Sequence, residues 1–222
     1  MIMRLLTAVA LTLALTLTAH AADKHRQLKP VDQGEIDASF ATFRNELKAI
    51  VARKDAVALL KVLAPDIRNS FGDNQGIAGF KAMWNPTDAK SQLWPVFDLV
   101  VGLGGVFKKK TTFVTPYVFA NFPDDLDAFE NVVVTADKAV LRTAPRSDAP
   151  VLRALDHDIL ALAGSITKSQ HEAGPADWLE IADASGKRGF VLQRDVRNPI
   201  DFRAYFEKRK GKWRMTILVA GD

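Results

Sequence analysis

The spacing of apolar residues changes at about residue 107, and this change limits the chain to a mixed α+β fold. Before it, five apolar residues recur at alternating intervals of four and three and predict an amphipathic helix: Ile36, Phe40, Phe43, Leu47 and Ile50. After it, Thr111–Val114 and Tyr117–Phe119 are rich in strand formers and are bounded by prolines. The sequence therefore predicts a helix-rich first part followed by strands.

Turn and cap residues divide both parts further. Asp55 is suited to cap a second helix that Pro65 ends, and shorter helices are expected at Ile77–Trp84 and Gln92–Val101. Beyond Pro199, apolar residues alternate with polar ones on either side of a turn at Lys208–Gly211. This alternation predicts a carboxyl-terminal β-hairpin with one buried face, which we expect to pair with the strands near Phe113 and Tyr117.

The amino-terminal residues have the pattern of a cleavable signal peptide. Arg4 precedes an apolar run from Leu5 to Thr18, and Ala19 and Ala21 supply the small residues of a cleavage site. A membrane anchor is the alternative, but a spanning helix needs roughly 20 apolar residues. We expect residues 1–21 to be removed, residues 22–34 to be a flexible lead-in, and the mature protein to be periplasmic or secreted without a stable membrane anchor.

Composition narrows the possible partners and cofactors. The chain has no cysteine, so disulfides, thiolate metal sites and lipidation through a thioether are excluded. Its net charge is only +4, and no basic stripe interleaves with aromatic residues. Nucleic acid is therefore not expected as a partner.

Residues 131–198 contain short apolar runs separated by polar turns. In the run Ala139–Pro145 a strand ends in an arginine before a small-residue and proline loop, and this run resembles the opening of the bacterial SH3 domains. Val151–Leu155 and Ile159–Leu162 resemble the next strands, and Asp177–Ile181 with Gly189–Val191 resembles the closing tryptophan strand and glycine-aromatic-valine strand. Val140 and the Asp156–Asp158 turn depart from the family pattern.

The resemblance implies a small SH3-like β-barrel with a peptide-binding groove. Trp178 is expected to line this groove, together with Phe190 and Arg142. The alternative is that Trp178 and Phe190 are core residues and that Arg142 has a structural role.

The remaining parts contain amphipathic helices, a loop at Phe71–Gly72 and a carboxyl-terminal strand pair with the run Gly211–Arg214. In these features residues 35–130 and 199–222 resemble the cone-shaped domains of the nuclear transport factor 2-like class. The barrel would then be an insertion in a discontinuous first domain. Cone-shaped domains enclose a pocket, and we expect six polar and aromatic residues either to line one or to form a packed core: Phe71, Asp73, Asn74, Trp84, Trp94 and Tyr117.

The sequence contains no recognisable catalytic motif, and we expect no cofactor and no metal. Gly102–Gly105 does not continue as a dinucleotide-binding fingerprint, and no Gly-x-Ser-x-Gly elbow is present. Asp156–Asp158 are neighbours in a turn, so their side chains point apart rather than converge on an ion. The sequence therefore favours a non-catalytic binding or scaffolding protein of the cell envelope, whose partner is a cell-wall peptide or an envelope protein. The alternatives are an envelope enzyme with its pocket in the first domain and an inhibitor or chaperone-like partner of an exported protein.

Overall fold

The computed structural model describes residues 26–73, 75–166, 168–182 and 187–221, and the predicted signal peptide lies outside them. The described residues form five α-helices and twelve strands in two sheets, so the predicted α+β class is confirmed. In chain order these elements are α1 (Ala38–Arg53), α2 (Ala56–Val62), β1 (Leu63–Arg68), α3 (Gly76–Trp84), α4 (Leu93–Gly102), β2 (Val106–Lys109), β3 (Thr112–Thr115), α5 (Tyr117–Ala120), β4 (Asn131–Val134), β5 (Val140–Arg142), β6 (Val151–Ala154), β7 (Ile159–Leu162), β8 (Trp178–Ala182), β9 (Arg188–Leu192), β10 (Val196–Arg197), β11 (Arg203–Arg209) and β12 (Lys212–Val219). No helix in the described part of the chain is long and apolar enough to cross a bilayer.

Helix α1 follows the apolar stripe of the sequence and begins at a side-chain cap. The Asp37 carboxylate accepts a hydrogen bond from the Phe40 amide at 2.9 Å, which satisfies one of the free amides at the helix start. Phe40, Leu47 and Ile50 are fully buried on this stripe. Ile36 lies before the helix and is 73% exposed, so its expected place on the stripe was wrong.

The first sheet has five strands in the order β1-β12-β11-β3-β2. The carboxyl-terminal hairpin β11–β12 lies at its centre, where β11 pairs with β3 and β12 pairs in parallel with β1. One face of this sheet packs against the helices, and Phe40, Phe113 and Phe206 belong to the core between them. Strands from residues 63–115 and 203–219 therefore form one unit, although residues 131–197 lie between them in sequence.

Two segments of this first unit differ from the sequence prediction. Leu63–Arg68 forms β1 although it contains Pro65, which lacks an amide donor; the strand is at the edge of the sheet, where a proline is tolerated. Tyr117–Ala120 is a short helix rather than a strand. Its start is fixed because the Tyr117 amide donates to the Gly104 carbonyl, and Tyr117 and Val118 pack against Val133 of β4.

The second sheet has seven strands in the order β10-β4-β7-β8-β9-β5-β6, and with their connections these strands form the second unit, residues 131–197. In the described part of the chain β10 and β6 are its edges, so the strand pairing does not close it into a barrel. One face carries an apolar core that includes Val132, Leu141, Ile181 and Val191. The long loop before β8 contains a 3-10 turn at Gln170–Glu172.

The segment predicted to be a flexible lead-in is hydrogen-bonded to both units from Arg26 onward, so the predicted flexibility was wrong for residues 26–34. Residues 22–25 lie outside the described part of the chain. The Leu28 amide donates to the His157 carbonyl at 2.8 Å, and Ile159 donates to Arg26 at 2.7 Å. Farther along, the Gln33 side chain accepts from the Phe107 amide at 2.8 Å. These backbone partners order a segment whose composition alone favours a coil.

Candidate functional site

One face of the second sheet is divided into a covered part and an open part. At β4 and β7, Val133 and Ile159 pack against Tyr117 and Val118 of the first unit. At β8, β9 and β5 the same face carries side chains that belong to no apolar cluster in the described residues. This open part is the candidate site, and we call it the tryptophan face: Trp178, Glu180, Phe190, Leu192 and Arg142.

Strand alternation places these residues on the side opposite the core. Leu179 and Ile181 of β8 are buried in the core, so Trp178 and Glu180 between and beside them point outward. In β9, Val191 is buried, whereas Phe190 and Leu192 are partly exposed. A one-residue change of register would turn the core side chains outward and bury the outward ones. The apolar core therefore determines which side chains lie on the tryptophan face.

Cross-strand pairing brings the members of the tryptophan face together. Trp178 lies opposite Leu192, and Glu180 lies opposite Phe190, which in turn pairs with Arg142 on the far side. Directly paired side chains lie about 5 Å apart at their Cβ atoms, and diagonal neighbours such as Trp178 and Phe190 lie within reach of one another. The result is a half-buried patch that contains two aromatic rings, one aliphatic side chain and two charged groups.

The charged groups of the tryptophan face are held by defined contacts. The Arg142 guanidinium donates to the Ala149 carbonyl at 2.7 Å, which holds it against the loop between β5 and β6. Glu180 accepts from Arg188 at 2.9 Å across the β8–β9 hairpin. The structural role that the sequence left open for Arg142 is therefore supported by this contact, and its part in ligand binding stays a prediction.

The structure does not gather the six residues predicted to line a pocket in the first unit. Phe71 is 56% exposed and lies 5.8 Å from the Arg203 guanidinium, whereas Trp94 is buried and donates to the Asp88 carbonyl at 3.1 Å. Tyr117 is buried at the junction of the units, where burial raises its pKa to about 12. Asp73 is exposed, and Asn74 lies outside the described residues. Trp84 lines a cleft that contains none of the other four described residues.

A serine and a histidine meet in the loop before β8, but their geometry is that of a helix cap. The Ser169 hydroxyl lies 2.8 Å from Nδ1 of His171 and 3.0 Å from the Glu172 carboxylate. Ser169 and Glu172 form a capping box around the 3-10 turn, so the carboxylate orients the serine rather than the histidine. A serine nucleophile needs the reverse arrangement, in which the acid orients the histidine.

The acidic groups of the Asp156–Asp158 turn are also engaged in structural contacts. The Asp158 carboxylate is buried, accepts from Arg153 at 3.0 Å and accepts from the Asp156 amide at 2.7 Å. Asp156 pairs with Lys29 of the lead-in, and hydrogen bonds from Lys29 lower the pKa of Asp156. Within the described ranges, no group of three or more histidine and carboxylate side chains is arranged to hold a metal ion.

The sequence did not identify two residues of the tryptophan face, nor a contact between two residues of the cleft that Trp84 lines. Leu192 and Glu180 are identified only by strand pairing, because neither residue type is distinctive on a surface. His171 and Phe202 lie 31 residues apart in sequence, yet their rings are 6.0 Å apart. No local pattern signals that contact.

No family model matches the chain, and neither the curated proteins nor the solved structures contain a significant match.

Proposed function

We propose that the chain is a non-catalytic binding and scaffolding protein of the cell envelope, in which the tryptophan face binds a peptide. The observation that carries this proposal is the outward position of Trp178 and Phe190 beside Arg142. Tryptophan and arginine are over-represented among residues that dominate binding energies, and aromatic surfaces accept extended peptides. The proposed ligand is a peptidoglycan peptide or an extended segment of an envelope protein.

The assignment of the second unit as an SH3-like domain is part of the proposal. Strands β5, β6, β7, β8 and β9 coincide with the five segments that resemble bacterial SH3 strands. The β8–β9 pair, which carries the tryptophan and the glycine-aromatic-valine run, has the most extensive register in that sheet. Both observations support an SH3-like arrangement in which the groove-lining aromatics face outward.

The proposed scaffold role rests on how the two units are joined. The covered part of the second sheet packs Val133 against Tyr117 and Val118, and the lead-in binds both units through Leu28 and Gln33. A unit that is fixed on a platform presents its ligand surface in one orientation. The proposed location, the periplasm or the exterior, rests on the signal-peptide pattern of residues 1–21.

Sedimentation with insoluble peptidoglycan tests the proposed function. We expect purified chain 22–222 to sediment with the wall material, and we expect Trp178→Ala to weaken binding by about 30-fold, since a central aromatic contributes about 2 kcal/mol or more. Trp178 is half-buried outside the apolar clusters, so thermal unfolding of the variant is measured alongside to show that it is folded at the assay temperature.

Phe71→Ala is the matched control, because it removes an exposed aromatic from the first unit. It should sediment like the parent protein. A parent chain that stays in the supernatant at low and moderate salt would exclude the wall peptide as the ligand and leave an envelope protein. Equal loss for both variants would contradict a role for the tryptophan face.

A further inference from the structure

A groove runs along the junction between the two units. It consists of two adjoining clefts of about 800 and about 600 Å³, and Ser169 lines both of them. We call it the junction groove: its first cleft extends from Phe129 and Glu130 to Ser169, and its second extends from Ser169 to Asp88 and Trp84. Ligand sites occur preferentially at domain interfaces, and pockets for small ligands measure about 300–1,000 Å³. Two such clefts end to end suit an extended ligand better than a compact one.

The junction groove is locally acidic although the chain is basic overall, with a net charge of +4. Three carboxylates in its wall have no ion-pair partner within the described residues: Asp88, Glu130 and Glu172. Lys90 is the single lysine of the second cleft in that part of the chain. An excess of negative charge on a basic protein attracts a cationic ligand and repels a polyanion.

The other charged residues of the junction groove do not cancel this excess. Lys168 is paired with Asp177 at 3.0 Å, and Asp201 lies 3.7 Å from the buried Arg197. Burial is the main cause that lowers the pKa of His171, so its imidazole is neutral at neutral pH. The charge that faces a ligand is therefore set by the unpaired carboxylates and Lys90.

Apolar groups at the groove wall offer contacts to the apolar side chains of a peptide. Trp84 is only 8% exposed and its indole N–H is buried, so Trp84 contributes to the wall of the second cleft through its ring. The ring of Trp84 packs 5.1 Å from that of Phe202, which lines the same cleft. At the two ends of the groove, Met83 and Phe129 are 42% and 59% exposed and offer apolar contacts.

We propose that the junction groove binds an extended, basic peptide segment of a partner protein. Its lysine or arginine side chains pair with Asp88, Glu130 and Glu172, and its apolar side chains contact Met83 and Phe129. This site is separate from the tryptophan face and makes the chain a two-site adaptor, whose first site binds one ligand while the groove binds another protein.

Fluorescence anisotropy with two labelled peptides tests this proposal. The first probe has leucine at both ends and alternating lysine and alanine between them, and the second has glutamate in place of lysine. We expect the full mature chain to bind the lysine probe and not the glutamate probe. The variant Asp88→Asn with Glu172→Gln should weaken binding by at least about 10-fold, since two charge contacts are lost.

Both substitutions preserve the local fold. Asn retains the side-chain oxygen that accepts from the Lys90 amide, and Gln retains the capping box with Ser169. The control variant Asp124→Asn with Asp137→Asn changes the net charge equally at exposed positions outside the groove and should alter affinity by less than about twofold.

Trp178→Ala should leave peptide binding unchanged, which separates this site from the tryptophan face. Equal affinity for the lysine and glutamate probes, or an equal loss of affinity in the two double variants, would overturn the proposal.

Discussion

Phe40→Ala is expected to lower the free energy of unfolding by about 3–5 kcal/mol, the range for removing a fully buried phenylalanine ring. Phe40 has no exposed surface, and its ring lies 4.3 Å from that of Phe113 and 4.8 Å from that of Trp213. Its removal leaves a cavity where α1 packs on both central strands of the first sheet. Equilibrium unfolding in urea measures the change.

Val57→Ala provides the comparison for Phe40→Ala, because Val57 is 66% exposed on α2. Its expected effect is within about 0.5 kcal/mol. A loss below about 1 kcal/mol for Phe40→Ala would show that this aromatic cluster is not the centre of the first core.

Arg197→Ala is expected to destabilise the protein by about 3–5 kcal/mol, because it leaves a buried charge without its partner. The Arg197 guanidinium is 2% exposed, donates to the Phe202 carbonyl at 2.5 Å and to the Gln170 side chain at 3.3 Å. Asp201, whose side chain is also buried, lies 3.7 Å away. These contacts join β10, the loop before β8 and the start of the final hairpin.

The double variant Arg197→Met with Asp201→Asn restores both the charge balance and much of the packing that Arg197→Ala loses. It removes both charges and keeps much of the volume, so we expect it to be more stable than Arg197→Ala. Thermal unfolding of the three proteins gives the comparison. If the double variant were less stable than the single one, the unpaired Asp201 carboxylate would not be the cause of the destabilisation.

The elements that the sequence predicts well are those with a local signal. The intervals from Phe40 to Ile50 specify α1, because a helix repeats every 3.6 residues and no distant partner is needed. The alternation after Pro199 likewise specifies the hairpin β11–β12. In contrast, β1 exists through its parallel pairing with β12, about 150 residues away in sequence, and Pro65 obscures its pattern.

The candidate site was predictable only in part for the same reason. Trp178, Phe190 and Arg142 were predicted from a resemblance, and whether the aromatics face a ligand or the core depends on strand register. The sequence could not show that the residues predicted for a pocket in the first unit do not meet. Trp94 is buried in the core and Phe71 is exposed, and this difference arises from how the helices pack. The junction groove depends on a contact between Phe202 and the loop around His171, which no local pattern encodes.

The most direct measurement of the central claim is residue-specific NMR of residues 22–222 titrated with a soluble disaccharide-tetrapeptide fragment of peptidoglycan. We expect the largest amide shifts in β8 and β9 around Trp178 and Phe190, with a smaller shift at Arg142. Shifts that concentrate at Trp84 and Phe202 instead, or the absence of any shift at millimolar fragment, would contradict the assignment of the tryptophan face as the site for a wall peptide.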